Sequence, residues 1–324
     1  MNVFIDHRSA SGSLGANARP MRRRGWSCVL GLSFSCAVAC GGTGDSTFTN
    51  TERPDGGSSS DSGPVFATND GSTAVDDCVA EAKLVYVVSQ EKDLYSFDPS
   101  TVTFTKIGRM DCPTAGVPVS MAIDRSSTAW VNYADGSLFR VSTRDASCTA
   151  TEFAPGQQGF LKFGMAFATE GSGSTKETLY VSGLLGSSGK GFGKIDLATM
   201  KLTMIGEYSN ALAGTAAELT GTGDGRLYGF FTTAPHATLA RIDMASGATS
   251  GDTSLAGVST GNAFAFSFWG GDFWFYTSDG ASPSRVTRLQ TSGSGELVVA
   301  KEDVGGFRIV GAGVSTCAPT TPPR

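Results

Sequence analysis

From about Val79 onward, short apolar and aromatic runs alternate with Gly, Asp, Ser and Asn turns, and no stretch carries the periodicity of a helix. This pattern predicts an all-β domain. It also repeats. An aromatic-bearing strand recurs around Tyr86 (LVYVVS), Trp130 (AWVNY), Tyr180 (LYVSG), Tyr228 (RLYGFF) and Trp274 (FWFYT), at spacings of 44, 50, 48 and 46 residues. After a polar turn each is followed by a second strand (LYSFDP, LFRVST, GKIDLA, ARIDMA, TRLQTS), and a further turn and strand complete the unit, as in TFTKIG and KLTMIG. A period near fifty residues is the signature of a repeat architecture.

Units two to five carry one more strand ahead of the aromatic one: VSMAID, FGMAFATE, ELTGTGDG and FAFSFWGGD. Unit one lacks it. The missing strand appears at the other end of the domain as FRIVGAGVS, Phe307 to Ser315. A chain that lends its last strand to its first sheet closes a ring and protects sheet edges, as β-propellers do. The sequence therefore predicts a five-bladed β-propeller of four-stranded blades over residues 75–317, with a six-bladed ring as the competing count. The innermost strands are rich in Gly and Ala, in keeping with crowding at a narrow axis plugged by small side chains such as Gly311-Ala312-Gly313 and Met165-Ala166. Residues 318–324 are read as a disordered tail.

Four cysteines fall within the domain: Cys78, Cys112, Cys148 and Cys317. They permit three connectivities. Ring closure favours Cys78 with Cys317, because one follows the closing strand and the other precedes the strand it must pair with. That bridge is worth about 4 to 5 kcal/mol in the chain-entropy model. Cys112 and Cys148 then pair by elimination. Zinc is disfavoured, since there is no C-x-x-C pair and His236 is the only histidine after residue 7.

Ahead of the domain the pattern changes twice. Met21-Arg22-Arg23-Arg24 is a cationic start, Trp26 to Ala39 an apolar stretch too short to span a bilayer, and Cys40 follows Ala37-Val38-Ala39 and precedes Gly41-Gly42. This resembles the bacterial lipobox, with Ala37 where that motif usually has Leu, and implies lipid modification of Cys40. Residues 1–20 precede a complete signal and are read as a misassigned upstream start. Residues 40–74, rich in Gly, Ser, Thr and Asp, are read as a disordered tether. The expected address is the cell envelope, lipid-anchored and outside the cytoplasm; Gly41 in place of an Asp leans the sorting toward the outer membrane.

Charge narrows the partners. The whole chain carries a net charge of −5; without residues 1–39 it has 20 basic and 29 acidic side chains, or −9. Nucleic acid is an unsuitable partner for such a surface. No cofactor is expected, and the membrane is approached through the lipid alone.

Several acids recur in register. Asp124, Glu170, Asp224 and Asp272 each follow the innermost strand of blades two to five, where they would ring one face near the axis or simply form turns. Glu218 is the one clear acid within an innermost strand, short of the carboxylate pair a glycosidase uses. His236 stands alone beside Pro235. GLLGSSGKG, Gly183 to Gly191, departs from a phosphate loop: Leu184 stands where the first glycine belongs, and Gly191 follows Lys190 in place of Ser or Thr. Blade five is aromatic throughout (Phe264, Phe266, Phe268, Trp269, Phe273 to Tyr276); most of these rings should fill the space between blades, with Trp269 the candidate surface platform.

With its lipobox, its tether and repeats such as LYSFDPSTVTFTKIG and ARIDMASGAT, the chain resembles uncharacterised secreted bacterial lipoproteins with a propeller domain, and more distantly the quinoprotein-like and NHL-type propellers. That resemblance implies loops displayed for binding and transfers no catalytic residue. The expected function is a monomeric binding or scaffolding protein whose loops contact a protein or glycan. Its rival is a glycoside hydrolase or lyase with a site in the axial funnel. The anchor is directly testable: Cys40→Ser is expected to abolish palmitate labelling in the producing bacterium, and unchanged labelling would disprove the assignment.

Overall fold

Twenty strands fold into five antiparallel sheets of four strands each in a computed structural model that describes residues 78–184, 191–291 and 295–323. The lipobox, the tether and the centre of the Gly183–Gly191 loop lie outside the described residues. Blade two is β4 (Pro118–Ile123), β5 (Thr128–Tyr133), β6 (Leu138–Ser142) and β7 (Cys148–Ala150). Blade three is β8 (Phe163–Thr169), β9 (Glu177–Gly183), β10 (Phe192–Asp196) and β11 (Lys201–Gly206). Blade four is β12 (Ala217–Gly221), β13 (Leu227–Phe231), β14 (Thr238–Ile242) and β15 (Thr249–Ser254). Blade five is β16 (Ala263–Trp269), β17 (Asp272–Ser278), β18 (Arg285–Leu289) and β19 (Leu297–Lys301).

Blade one is composite. Its β1 (Val85–Ser89), β2 (Asp93–Asp98) and β3 (Thr103–Arg109) are joined by the closing strand β20 (Ile309–Val314), with Val85 opposite Val314 and Val88 opposite Gly311. The innermost strands β20, β4, β8, β12 and β16 contact one another in that order around the ring. The protein is therefore a five-bladed β-propeller closed by its own last strand.

Burial follows distance from the axis. Every residue of β8 is buried, as expected of a strand covered on both faces, whereas nearly all of the outermost β15 is exposed. The scarcity of large side chains near the axis has a steric cause. A Cβ on Gly164 would run into the carbonyl oxygen of Ala217, and one on Gly221 into that of Phe167, so β8 and β12 meet backbone to backbone.

Outside the axis the wedge between blades widens and rings fill it. On β17, Phe273 and Phe275 face blade four, where Phe275 lies 4.9 Å from Phe230 and Phe273 lies 4.9 Å from Tyr228. The alternate residues Trp274 and Tyr276 face blade one, 5.6 and 5.7 Å from Phe97. Each fully buried ring contributes about 1.5 to 3 kcal/mol of transfer free energy.

The turns between third and fourth strands share one chemistry in blades one to four. Asp98, Asp145, Asp196 and Asp243 each accept backbone N–H groups from residues two or three positions on, which closes the turn. The hydroxyls of Ser100, Ser147 and Ser246 on Asp98, Asp145 and Asp243, and the Thr199 N–H on Asp196, chiefly hold these carboxyls below the usual carboxylate range.

Both disulfides are present. Cys78–Cys317 spans 239 residues with Cα atoms 5.7 Å apart and binds the start of the domain to the end of its closing strand. Cys112–Cys148 spans 36 residues, Cα atoms 5.1 Å apart, and fastens the connection leaving blade one to the short outermost strand of blade two. The tail turns back on blade five, where the Pro319 carbonyl accepts the Gly270 N–H at 2.7 Å. Loop closure ranks the two bridges, at about 5 and about 4 kcal/mol respectively. Replacing Cys78 and Cys317 with Ser should therefore lower the urea midpoint more than the same change at Cys112 and Cys148; the reverse order would show that closure is not the stabilising factor.

Candidate functional site

An innermost strand has one paired edge and one edge facing the axis, whose N–H groups need other partners. Short polar side chains from neighbouring strands supply them. Ser120 Oγ of β4 accepts the Met165 N–H of β8 at 3.2 Å, Thr220 Oγ1 of β12 accepts the Phe268 N–H of β16 at 3.0 Å, and Asn132 Oδ1 accepts the Phe163 N–H at 3.2 Å. The ring is thus stitched around its axis by polar groups.

Glu218 of β12 is part of this stitching. Its carboxyl reaches past blade three to blade two, where Ser120 Oγ donates to Oε2 at 2.7 Å. Glu218 is 1% exposed, and its Oε1 has no hydrogen-bond partner among the described residues. Burial pushes its pKa well above the usual carboxylate value, the Ser120 hydrogen bond opposing only in part. Burial therefore favours the neutral form of this side chain.

Above Glu218 a cavity of about 460 Å³ occupies the end of the ring where the innermost strands begin. Its apolar wall includes Val117, Val119, Leu184, Phe264 and Val310, and its polar lining includes Gln90, Asn262, Lys162 and Arg308. The Arg308 guanidinium donates to the Gly280 carbonyl and to Gln90 Oε1. Four of these residues hold one register position: Val117, Lys162, Asn262 and Arg308 each immediately precede an innermost strand. The fifth such position, Ala216, is too small to reach in. That register is the sequence signal by which Lys162 and Arg308 could have been found.

The acids that recur in the repeats lie at the opposite end of the ring, and the structure does not bring them together. Asp124 closes its own turn, accepting from Thr128 N at 2.8 Å and Trp130 Nε1 at 3.0 Å. Glu170 pairs with Lys176 on the surface at 2.6 Å. Asp224 takes Arg226 in bidentate fashion at 2.9 and 2.6 Å. Asp272, buried, accepts from Arg288 Nε at 2.7 Å and Thr291 N at 2.9 Å. The Trp269 indole N–H is donated to the Lys83 carbonyl at 2.8 Å, and His236 Nδ1 accepts the Gly257 N–H at 3.3 Å. Among the described residues no three His, Cys, Asp or Glu side chains form a metal-binding cluster.

That same end holds a half-buried carboxyl with no counterpart in the sequence reading. Glu177 Oε1 accepts the Arg125 N–H at 2.9 Å, and Oε2 accepts the hydroxyl of Thr316, beside the closing disulfide, also at 2.9 Å. Burial pushes its pKa up to about 7 against these hydrogen bonds.

No family model matches the sequence, and no curated protein matches it. Solved structures with related folds include hydrazine synthase of Kuenenia stuttgartiensis, 14% identical with a TM-score of 0.37 over 68% of this chain and 67% of that one. The extracellular domain assigned to a hybrid two-component system of B. thetaiotaomicron is 10% identical, with a TM-score of 0.35 over 69% and 27%. A protein of unknown function from Bacteroides thetaiotaomicron VPI-5482 is 13% identical, with a TM-score of 0.41 over 61% and 55%. The chain thus spans about a quarter and about half of the latter two. The propeller assignment rests on this chain's own strand pairing.

Glu177 and Glu218 set a pH dependence. Both have folded pKa values raised above the unfolded one, so their stabilisation is complete below about pH 4.5 and is lost as pH rises through the folded values. For Glu177, a rise from 4.5 to about 7 corresponds to about 3 kcal/mol. Urea melts from pH 4.5 to 8 should show wild type losing stability while Glu177→Gln/Glu218→Gln stays nearly flat; parallel curves would disprove ionisable buried carboxyls.

Proposed function

We propose that this chain is a lipid-anchored extracytoplasmic binding protein, held at the outer membrane through Cys40, and that it takes its ligand in the axial cavity and on the loops around it. The observation that carries this reading is the cavity itself: about 460 Å³, walled mainly by apolar side chains, with a few polar groups at its mouth and floor. Specific small-molecule sites have this composition and size. The loops framing the mouth offer further contact area to a protein or a glycan.

Hydrolysis of a glycoside calls for two carboxylates flanking one bond. Within the described lining, Glu218 is the single acid, and its carboxyl is engaged with Ser120 across the axis. This favours binding over the glycoside hydrolase or lyase reading. The acidic balance of the exported chain likewise favours partners other than nucleic acid.

Thermal melting of the exported protein against a panel of glycans and small metabolites should give a raised midpoint for at least one class, lost when Val119→Trp fills the cavity. A midpoint rise that survives Val119→Trp would move the ligand elsewhere. Release of new reducing ends from a glycan, dependent on Glu218, would replace binding with hydrolysis.

A further inference from the structure

Four of the nine arginines between residues 78 and 317 pair with carboxylates. Arg226 with Asp224, Arg285 with Glu302, Arg288 with Asp272 and Arg109 with Asp111 all lie within ion-pair distance. Arg308 differs. Its two terminal nitrogens are held by neutral acceptors, the Gly280 carbonyl and the Gln90 side-chain oxygen, and no carboxylate among the described residues pairs with it. Its charge is thus fixed in place by its neighbours but not neutralised by them.

Location gives that charge its meaning. Arg308 is half-buried at the mouth of the axial cavity, and Lys162, in the same register position two blades away, is a second cation in the lining. Glu218 is the only acid of the described lining, and it lies at the floor with Oε2 committed to Ser120. The described lining thus places two basic side chains at the mouth and its single acid at the floor, in a protein whose exported part is acidic overall. A guanidinium held in advance loses little freedom on binding and matches the planar, two-oxygen geometry of a carboxylate. Behind it, Val117, Val119, Phe264 and Val310 supply a wall suited to an apolar body.

We propose that the axial cavity binds a small organic carboxylate end-on, its carboxylate on Arg308 with Lys162 as the second cation, and its apolar body directed inward along Val119, Phe264 and Val310. This rests on the cavity being the ligand site and adds the ligand's chemical class. Glu218 Oε1, the one buried side-chain atom of the described lining without a partner, is the polar feature at the inner end. A ligand with a second oxygen at its far end would meet it there.

The test uses the full chain in detergent, titrated calorimetrically with matched pairs: hexanoate and hexanol, benzoate and benzyl alcohol, cyclohexanecarboxylate and cyclohexylmethanol. At least one carboxylate should bind tenfold or more tightly than its alcohol. Arg308→Gln should remove that preference, Arg308→Lys should keep part of it, and Lys162→Gln should weaken it independently of any change at Arg308. The proposal is overturned if carboxylate and alcohol bind equally in every pair, if the preference survives Arg308→Gln, or if no carboxylate binds. Alcohol binding that Val119→Trp abolishes, with no carboxylate preference, would remove the carboxylate and leave the cavity as the ligand site.

Discussion

The pairing of β20 with β1 joins residues at opposite ends of the domain, and the burial of every blade depends on it. A propeller blade has no core of its own; each sheet buries its faces against the blades on either side. With β20 unpaired, blade one would lack its innermost strand and blades two and five would each lose a neighbour at the axis. The cost of bringing such distant segments together is entropic and large. The Cys78–Cys317 bridge removes most of that cost from the folding equilibrium by restricting the unfolded chain.

Closure also creates the axis, where space is scarcest and polarity hardest to satisfy. Five free strand edges converge there, and water cannot reach their N–H groups. The solution is a set of short side chains that cross from one blade to another: Ser120 to β8, Thr220 to β16, and Glu218 across to Ser120. A carboxyl is an unusual member of that set. Its burial favours the neutral form, and Ser120 satisfies one of its oxygens. Glycine stands at Gly164 and Gly221 because a Cβ there would strike the backbone of the neighbouring blade.

Much of this was legible in the sequence. The aromatic strands at near-constant spacing gave the blade count, the displaced FRIVGAGVS strand gave the closure, and closure in turn gave the disulfide pairing. The alternation of Phe273 to Tyr276 gave the inter-blade packing. The site was less legible. The acids that stand out in the repeats, Asp124, Glu170, Asp224 and Asp272, are conspicuous because they sit beside turns, and each is used up by nearby N–H groups or by a cation of its own blade. The cavity lies at the other end of the ring. Its cations, Lys162 and Arg308, occupy a register position whose five members share no residue type, so repetition alone does not draw attention to them. Glu177 was not apparent because its partners, Arg125 and Thr316, come from two other blades.

The Cys78–Cys317 bridge has one more consequence, and it is topological. Between these two residues the backbone and the disulfide together form a covalent circle, so the propeller has no chain end of its own. An exopeptidase working inward from either terminus meets the bridge before it meets a blade. Unpairing β20 from β1 leaves the circle intact, and the strands remain tethered close enough to pair again. At the proposed address outside the cytoplasm, where proteases act and no ATP-driven chaperone refolds what they loosen, a ring without ends would be a chemical form of endurance.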